Sequence, residues 1–177
     1  MTIGLLEKRK EIIKNMGTTK CGRYIRTNGA NNYANDYAVI HSNEGTYRKA
    51  FGKNPRLRLQ SGGHGETGIK ELEKYGIKYN IIKTYSNGVR VGNIPDHYNK
   101  KKRKGINQAW FPQNWKSKDI RRAGNHVANI PKNRNITNGI VWGVYKGVRV
   151  GVIKSGKKIS TIFPDSNQTS VLRRKNK

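Results

Sequence analysis

Residues 139–165, GIVWGVYKGVRVGVIKSGKKISTIFPD, hold three runs of β-branched and aromatic residues separated by Lys146-Gly147 and Ser155-Gly156. Such side chains fit a pleated, half-buried surface, and a short break ending in glycine between two of these runs is hairpin chemistry. The stretch predicts a meander of three antiparallel strands. Residues 79–95, YNIIKTYSNGVRVGNIP, carry the same signal, with Asn87-Gly88 as the turn and Val89 and Val91 alternating with Arg90. GVRVGNI at 88–94 returns as GVRVGVI at 147–153, and one such match makes two similar strands rather than a repeat array.

Helical spacing occurs three times. Residues 3–16 bring Ile3, Leu6, Ile12, Ile13 and Met16 near one face, with Gly17 as the stop. Between Thr67 and Lys74 the apolar Ile69 and Leu72 stand three apart, and Gly76 ends the pattern. Within 110–131, WFPQNWKSKDIRRAGNHVANIP, Ser117 offers an N-cap, Ile120, Ala123 and Val127 share a face, and Pro131 follows the end. Residues 17–46 are rich in Gly, Asn, Thr and Tyr and read as irregular, with a short strand around Tyr37–Ile40. The expectation is an α+β chain: a twisted antiparallel sheet from the hairpin and the meander, with helices packed on one side. Its 177 residues suit one domain, divided as a leader over 1–45, a functional domain over 46–165 and a frayed basic tail over 166–177.

Against 10 Asp+Glu stand 37 Lys+Arg, a formal charge of +27. An excess of that size implies a polyanionic partner. It sharpens beyond Glu73, where 24 Lys/Arg face only Asp96, Asp119 and Asp165. Cys21 is the single cysteine, which excludes an intrachain disulfide and a Cys-based zinc site. The first 17 residues lack the uninterrupted apolar segment of a secretory signal or membrane span. No cofactor or metal is expected: carboxylates are scarce, and no His/Asp cluster has ligand spacing.

Residues 61–65, SGGHG, place His64 after two glycines and ahead of the second helical pattern. The glycines allow a tight turn and the close approach of a second molecule. The run KKKRK at 100–104 cannot pack and faces solvent or phosphate. Trp110, Phe111 and Trp115 bracket Pro112; they pack the start of the third helix against the sheet, or stack on unpaired bases beside the lysines. Packing is the preferred reading. His41, in the leader, and His126, inside the third helix, are assigned surface or packing roles.

Taken in order, SGGHG, NGVRVGNIPDH, KKKRKGINQAWFPQNW, KDIRRAGNHVANIP and TIFP resemble the bacterial EndoU nuclease domain, the C-terminal effector of many interbacterial toxins. The resemblance spans roughly residues 45–165. It implies the EndoU-like fold of the barnase/EndoU/colicin/RelE type, with twisted antiparallel sheets, and an endoribonuclease using two histidines and a lysine. The histidine of the family's GGH motif maps onto His64. The family's Thr-x-Tyr-Pro maps onto 161–164, keeping Thr161 and replacing the base-stacking tyrosine by Phe163. The family's first histidine precedes an aromatic-glycine pair that looks like Phe51-Gly52, and here Arg48, Lys49 and Ala50 precede that pair. Either another group moves the proton or this copy is impaired. The lysine falls in the basic run, at Lys102 or Lys104.

RNA carries its own nucleophile, so cleavage needs a base for the 2′-hydroxyl, an acid for the departing 5′-oxygen and a cation for the crowded phosphate. Histidine suits both proton roles and lysine the charge. The catalytic candidates are therefore His64, His97, Lys102, Lys104 and Thr161; Phe163, Arg103, Gln108 and Trp110 are the candidates for substrate binding. His97 either lines the cleft or helps a loop bind the backbone. The expected function is a metal-independent endoribonuclease toxin, tRNA among its substrates, leaving a 2′,3′-cyclic phosphate. It would be a secreted effector acting in the cytoplasm of a target bacterium. The expected partners are RNA and an acidic immunity protein, with no membrane. The alternatives are a non-catalytic RNA-binding protein on the same scaffold and, ranked lowest, a metal-dependent nuclease.

Overall fold

The computed structural model describes residues 32–50 and 55–172. The helix expected over 3–16 and the Phe51-Gly52 pair lie outside them. Helix α1 (Asp36–Glu44) leads into the hairpin β1 (Thr46–Lys49) and β2 (Leu57–Ser61), then helix α2 (Glu66–Lys74). Strands β3 (Asn80–Thr84) and β4 (Arg90–Asn93), a 3-10 turn over Lys100–Arg103 and strand β5 (Gln108–Trp110) follow. The chain closes with helix α3 (Ser117–Asn129), strands β6 (Gly139–Tyr145), β7 (Val148–Ser155) and β8 (Lys158–Pro164), and a helical turn α4 (Thr169–Leu172).

The class is α+β as expected, with every strand pair antiparallel, but the strands form three small sheets rather than one. β4 is paired on both edges by β3 and β5, and β7 by β6 and β8, so neither keeps a free edge for the other. β5, not foreseen as a strand, aligns Gln108, Ala109 and Trp110 with Gly92, Val91 and Arg90. The hairpin β1–β2 was likewise not anticipated. α3 buries Ile120, Ala123 and Val127, the predicted face. Its start is held by Asp119, whose Oδ2 accepts from the Lys116 backbone N–H at 3.0 Å, so Ser117 is the first helical residue rather than the cap.

Residues 36–44 are helix, not the strand expected around Tyr37–Ile40. Asn35 accepts from the Ala38 N–H through its side chain at 2.8 Å, a cap that outweighs the short β-like run Tyr-Ala-Val-Ile. Ala34, Ala38 and Val39 join the main core with Val89, Phe111, α3 and the β6–β7–β8 sheet. The boundary expected at residue 45 thus falls inside packed structure. The tail expected from 166 is also packed at first: Gln168 is fully buried and donates to the Arg149 and Asp165 carbonyls. A smaller core gathers Leu59, Ile69, Leu72, Ile94 and Trp110 under α2.

The glycines before His64 serve the end of α1. The last carbonyls of a helix lack partners within it. Here those of His41, Ser42 and Asn43 accept from the N–H groups of Gly63 (3.1 Å), His64 (2.6 Å) and Gly65 (3.1 Å). Gly62 has φ +72°, and a Cβ on it would stand 2.0 Å from the His41 carbonyl oxygen. The molecule that approaches closely is the protein itself. Gly62→Ala is expected to destabilise the fold by about 2–4 kcal/mol, through both the positive φ and that clash, measured by urea unfolding. Ser42 ties the same helix to the last sheet: its Oγ donates to the Ala38 carbonyl at 2.6 Å and accepts from the Ile162 N–H at 2.8 Å.

Candidate active site

These links hold α1, the 62–65 segment and β8 around a cavity of about 320 Å³. His41, Gly62, His64, Lys102 and Asn107 line one wall, and Trp142, Ile153, Thr161 and Phe163 the other.

His64 is 5% exposed, its ring 5.8 Å from that of Phe163. Its backbone carbonyl accepts from the Phe111 N–H at 2.7 Å, and its Nδ1 lies 2.7 Å from the Ala109 carbonyl oxygen. A carbonyl only accepts, so Nδ1 carries the hydrogen and Nε2 keeps the lone pair. Burial first, and then the nearby Lys102 charge, hold its pKa well below 6.5. His64 is therefore a neutral imidazole at neutral pH, in the tautomer a general base requires.

His41, assigned a surface or packing role from the sequence, stands on the cavity. It is half-buried on the last turn of α1, lines the cavity, and sets its Nδ1 2.8 Å from Thr46 Oγ1. Burial and then Lys102 lower its pKa below 6.5. The signal that could have found it is the pair Asn35-Asp36 opening a helix; what brings that helix end against SGGHG is tertiary. Arg48, Lys49 and Ala50, where the family histidine was sought, do not line the cavity.

Of the two candidate lysines, Lys102 stands on the cavity and Lys104 is exposed away from it. Lys102 Nζ donates to Gln108 Oε1 at 2.8 Å, and burial lowers its pKa to about 8. Gln108 is fully buried, with Nε2 3.4 Å from the Gly62 and Gly63 carbonyl oxygens. It braces the lysine against the turn bearing His64 instead of meeting a ligand. Gln108→Leu is expected to shift the Lys102 titration, followed by nuclear magnetic resonance of its side chain, down by about one unit, because the charged lysine loses its acceptor. Gln108→Glu is expected to shift it up.

His97 is fully buried and does not line the cavity. Its Nδ1 accepts from the Asn99 N–H at 2.8 Å and its carbonyl from Arg103 Nε at 2.7 Å, so His97 and Arg103 together shape the loop that presents Lys102. Burial, then Lys102 and Arg103, lower the His97 pKa from 6.5 to about 4. The unfolded chain would bind this proton more readily than the folded one. Folding stability is expected to fall as pH drops from about 6.5 to about 4, by roughly 3 kcal/mol from this group. His41 and His64 contribute in the same direction. Urea midpoints of the wild type and His97→Gln across that window measure the share of His97.

Trp110 is fully buried and meets Tyr79 edge-on at 6.0 Å, which closes it to any base. Phe111, equally buried, stacks on Trp115 at 5.0 Å, the packing role preferred from the sequence. Thr161 and Phe163 both reach the cavity, and His126 is exposed. Trp142, Asn107 and Ser166, which also line it, were not singled out. Among the described residues no three His, Cys, Asp or Glu side chains gather as a metal site. No helix among them is long and apolar enough to cross a membrane.

The family model described as Bacterial EndoU nuclease matches residues 35–166, a span that opens at the cap of α1 and closes at the cavity residue Ser166. No curated protein and no solved structure matches the chain.

Proposed function

Because the chain belongs to the bacterial EndoU nuclease family, we propose that it is an endoribonuclease that cleaves RNA through the 2′-hydroxyl. The observation that carries this reading is the meeting of His41, His64, Lys102 and Thr161 on one cavity. His64 Nε2 takes the 2′-hydroxyl proton while the 2′-oxygen attacks phosphorus. The Lys102 ammonium offsets charge on the non-bridging oxygens, and protonated His41 gives its proton to the departing 5′-oxygen. The products are a 2′,3′-cyclic phosphate and a 5′-hydroxyl. Phe163 flanks the base and Thr161 donates to phosphate or base. Arrival of the phosphate anion raises the His41 pKa, so the acid is charged when substrate is bound.

On the same reading the protein is a secreted toxin acting in the cytoplasm of a target bacterium, with tRNA among its substrates. An acidic immunity protein protects the producing cell by covering the basic cleft.

Purified protein incubated with mixed RNA in excess EDTA tests the chemistry. Fragments ending in cyclic phosphate are the expected result. Intact but gel-shifted RNA would indicate a binding scaffold, and cleavage only after adding Mg²⁺ or Mn²⁺ would indicate a metal enzyme. Since both histidines titrate below their ordinary value, kcat/KM should peak on the acid side of 6.5.

A further inference from the structure

The β6–β7–β8 sheet has two unlike faces. Val150, Val152 and Ile162 are fully buried in the core shared with α3. On the opposite face the register sets Trp142, Gly151 and Phe163 in one row and Ile140, Ile153 and Thr161 in the next. Phe163, Thr161, Ile153 and Trp142 line the cavity, so the face continues outward from the active site. It ends at the edge strand β6, where Ile140 is 53% and Val144 42% exposed.

Three features show what suits this face. Gly151 leaves the middle of its row empty: a Cβ there would come within 2.6 Å of Phe163 and 2.8 Å of Trp142. The two rings therefore approach edge to face at 5.4 Å across the gap. The Arg149 guanidinium lies 4.8 Å from the centre of the Trp142 ring, held by Asp165 Oδ2 at 2.6 Å from its Nε. Finally, β6, β7 and β8 contain no Asp or Glu, and Lys157 and Lys158 are exposed at the β7–β8 turn. Aromatic rings beside exposed lysines, with the adjoining Asp165 carboxylate already paired to Arg149, suit unpaired bases joined by phosphates.

We propose that the outer face of the β6–β7–β8 sheet, centred on Trp142, is a second RNA-binding subsite that stacks unpaired nucleotides flanking the scissile bond. The proposal rests on the ribonuclease reading for the position of that bond. It makes the preferred substrate a single-stranded segment longer than a dinucleotide, drawn across the sheet from the cavity toward β6.

Binding separates the two readings, because oligonucleotides methylated at every 2′-oxygen lack the nucleophile and report the platform without cleavage. With the full chain, anisotropy should give a methylated octamer much tighter than a methylated dimer. Trp142→Ala and Val144→Glu should each weaken the octamer by about ten-fold at constant salt. Trp142→Phe, which keeps an aromatic face, should restore most of the affinity. Nuclear magnetic resonance adds a direct readout: the Trp142 indole N–H, identified by its absence in Trp142→Phe, should shift with the octamer while that of buried Trp110 stays. Octamer affinity unchanged in folded Trp142→Ala and Val144→Glu proteins, or an unmoved Trp142 signal, would overturn the proposal even if RNA cleavage is confirmed. Failure of cleavage with the platform intact would overturn only the ribonuclease reading.

Discussion

His64→Ala should lower kcat/KM for RNA by about 10³–10⁴-fold while leaving the fold cooperative. The size follows from what the side chain supplies. Ala109 fixes the hydrogen on Nδ1, so Nε2 is already the proton acceptor, and burial keeps it neutral at working pH. His41, the other imidazole on the cavity, bonds a hydroxyl that can donate or accept, so its lone pair is not fixed in this way. The backbone of residue 64 stays bonded to Ser42 and Phe111 in the variant, so α1 and β5 remain in place. Added imidazole should recover part of the lost rate, which distinguishes missing chemistry from damaged structure. A folded His64→Ala protein within ten-fold of wild type would remove the base from this position and the mechanism with it.

The second large effect concerns His41. His41→Ala is expected to cost about 10²–10³-fold in kcat/KM. It should also change the pH profile in a way that misfolding would not. With the acid in place, activity declines as pH rises through the His41 pKa, which lies below 6.5. Without it that decline should vanish, leaving the loss of charged Lys102 near pH 8 as the alkaline limit. A leaving group that expels itself more easily, such as a nitrophenyl phosphodiester of uridine, should be largely spared, because it needs no proton. Introducing histidine singly through Arg48→His, Lys49→His or Ala50→His should add nothing to the wild type. Gain at one of those sites together with an inert His41→Ala would return the acid to the family's usual position and refute the assignment.

The two histidines differ in how far the sequence discloses their place on the cavity. His64 was legible through the resemblance, as the histidine of the GGH motif; its residues alone read as a solvated imidazole on a turn. His41 was not, because the Asn- and Gly-rich stretch around it reads as loop until the carbonyls at the end of α1 are seen bonded to residues 63–65. His97 was attractive for its neighbours, but it is turned into the protein to hold Asn99. Lys102 and Lys104 are indistinguishable as letters; the 3-10 turn at Lys100–Arg103 and the reach of Gln108 separate them.

By itself the sequence determined the α+β class, the three glycine-turn hairpins, the buried stripe of α3 and a charge balance demanding a polyanion. These follow from periodicity, turn chemistry and net charge, which act over a few residues or over the chain as a whole. Only the tertiary structure decided how strands divide among sheets, which histidine shares the cavity with His64, and which lysine lines it. Those outcomes depend on hydrogen bonds between segments far apart in the chain, such as Gly63 with His41 and Ile162 with Ser42. Local propensity does not encode such pairings; they form only when the core brings the segments within reach.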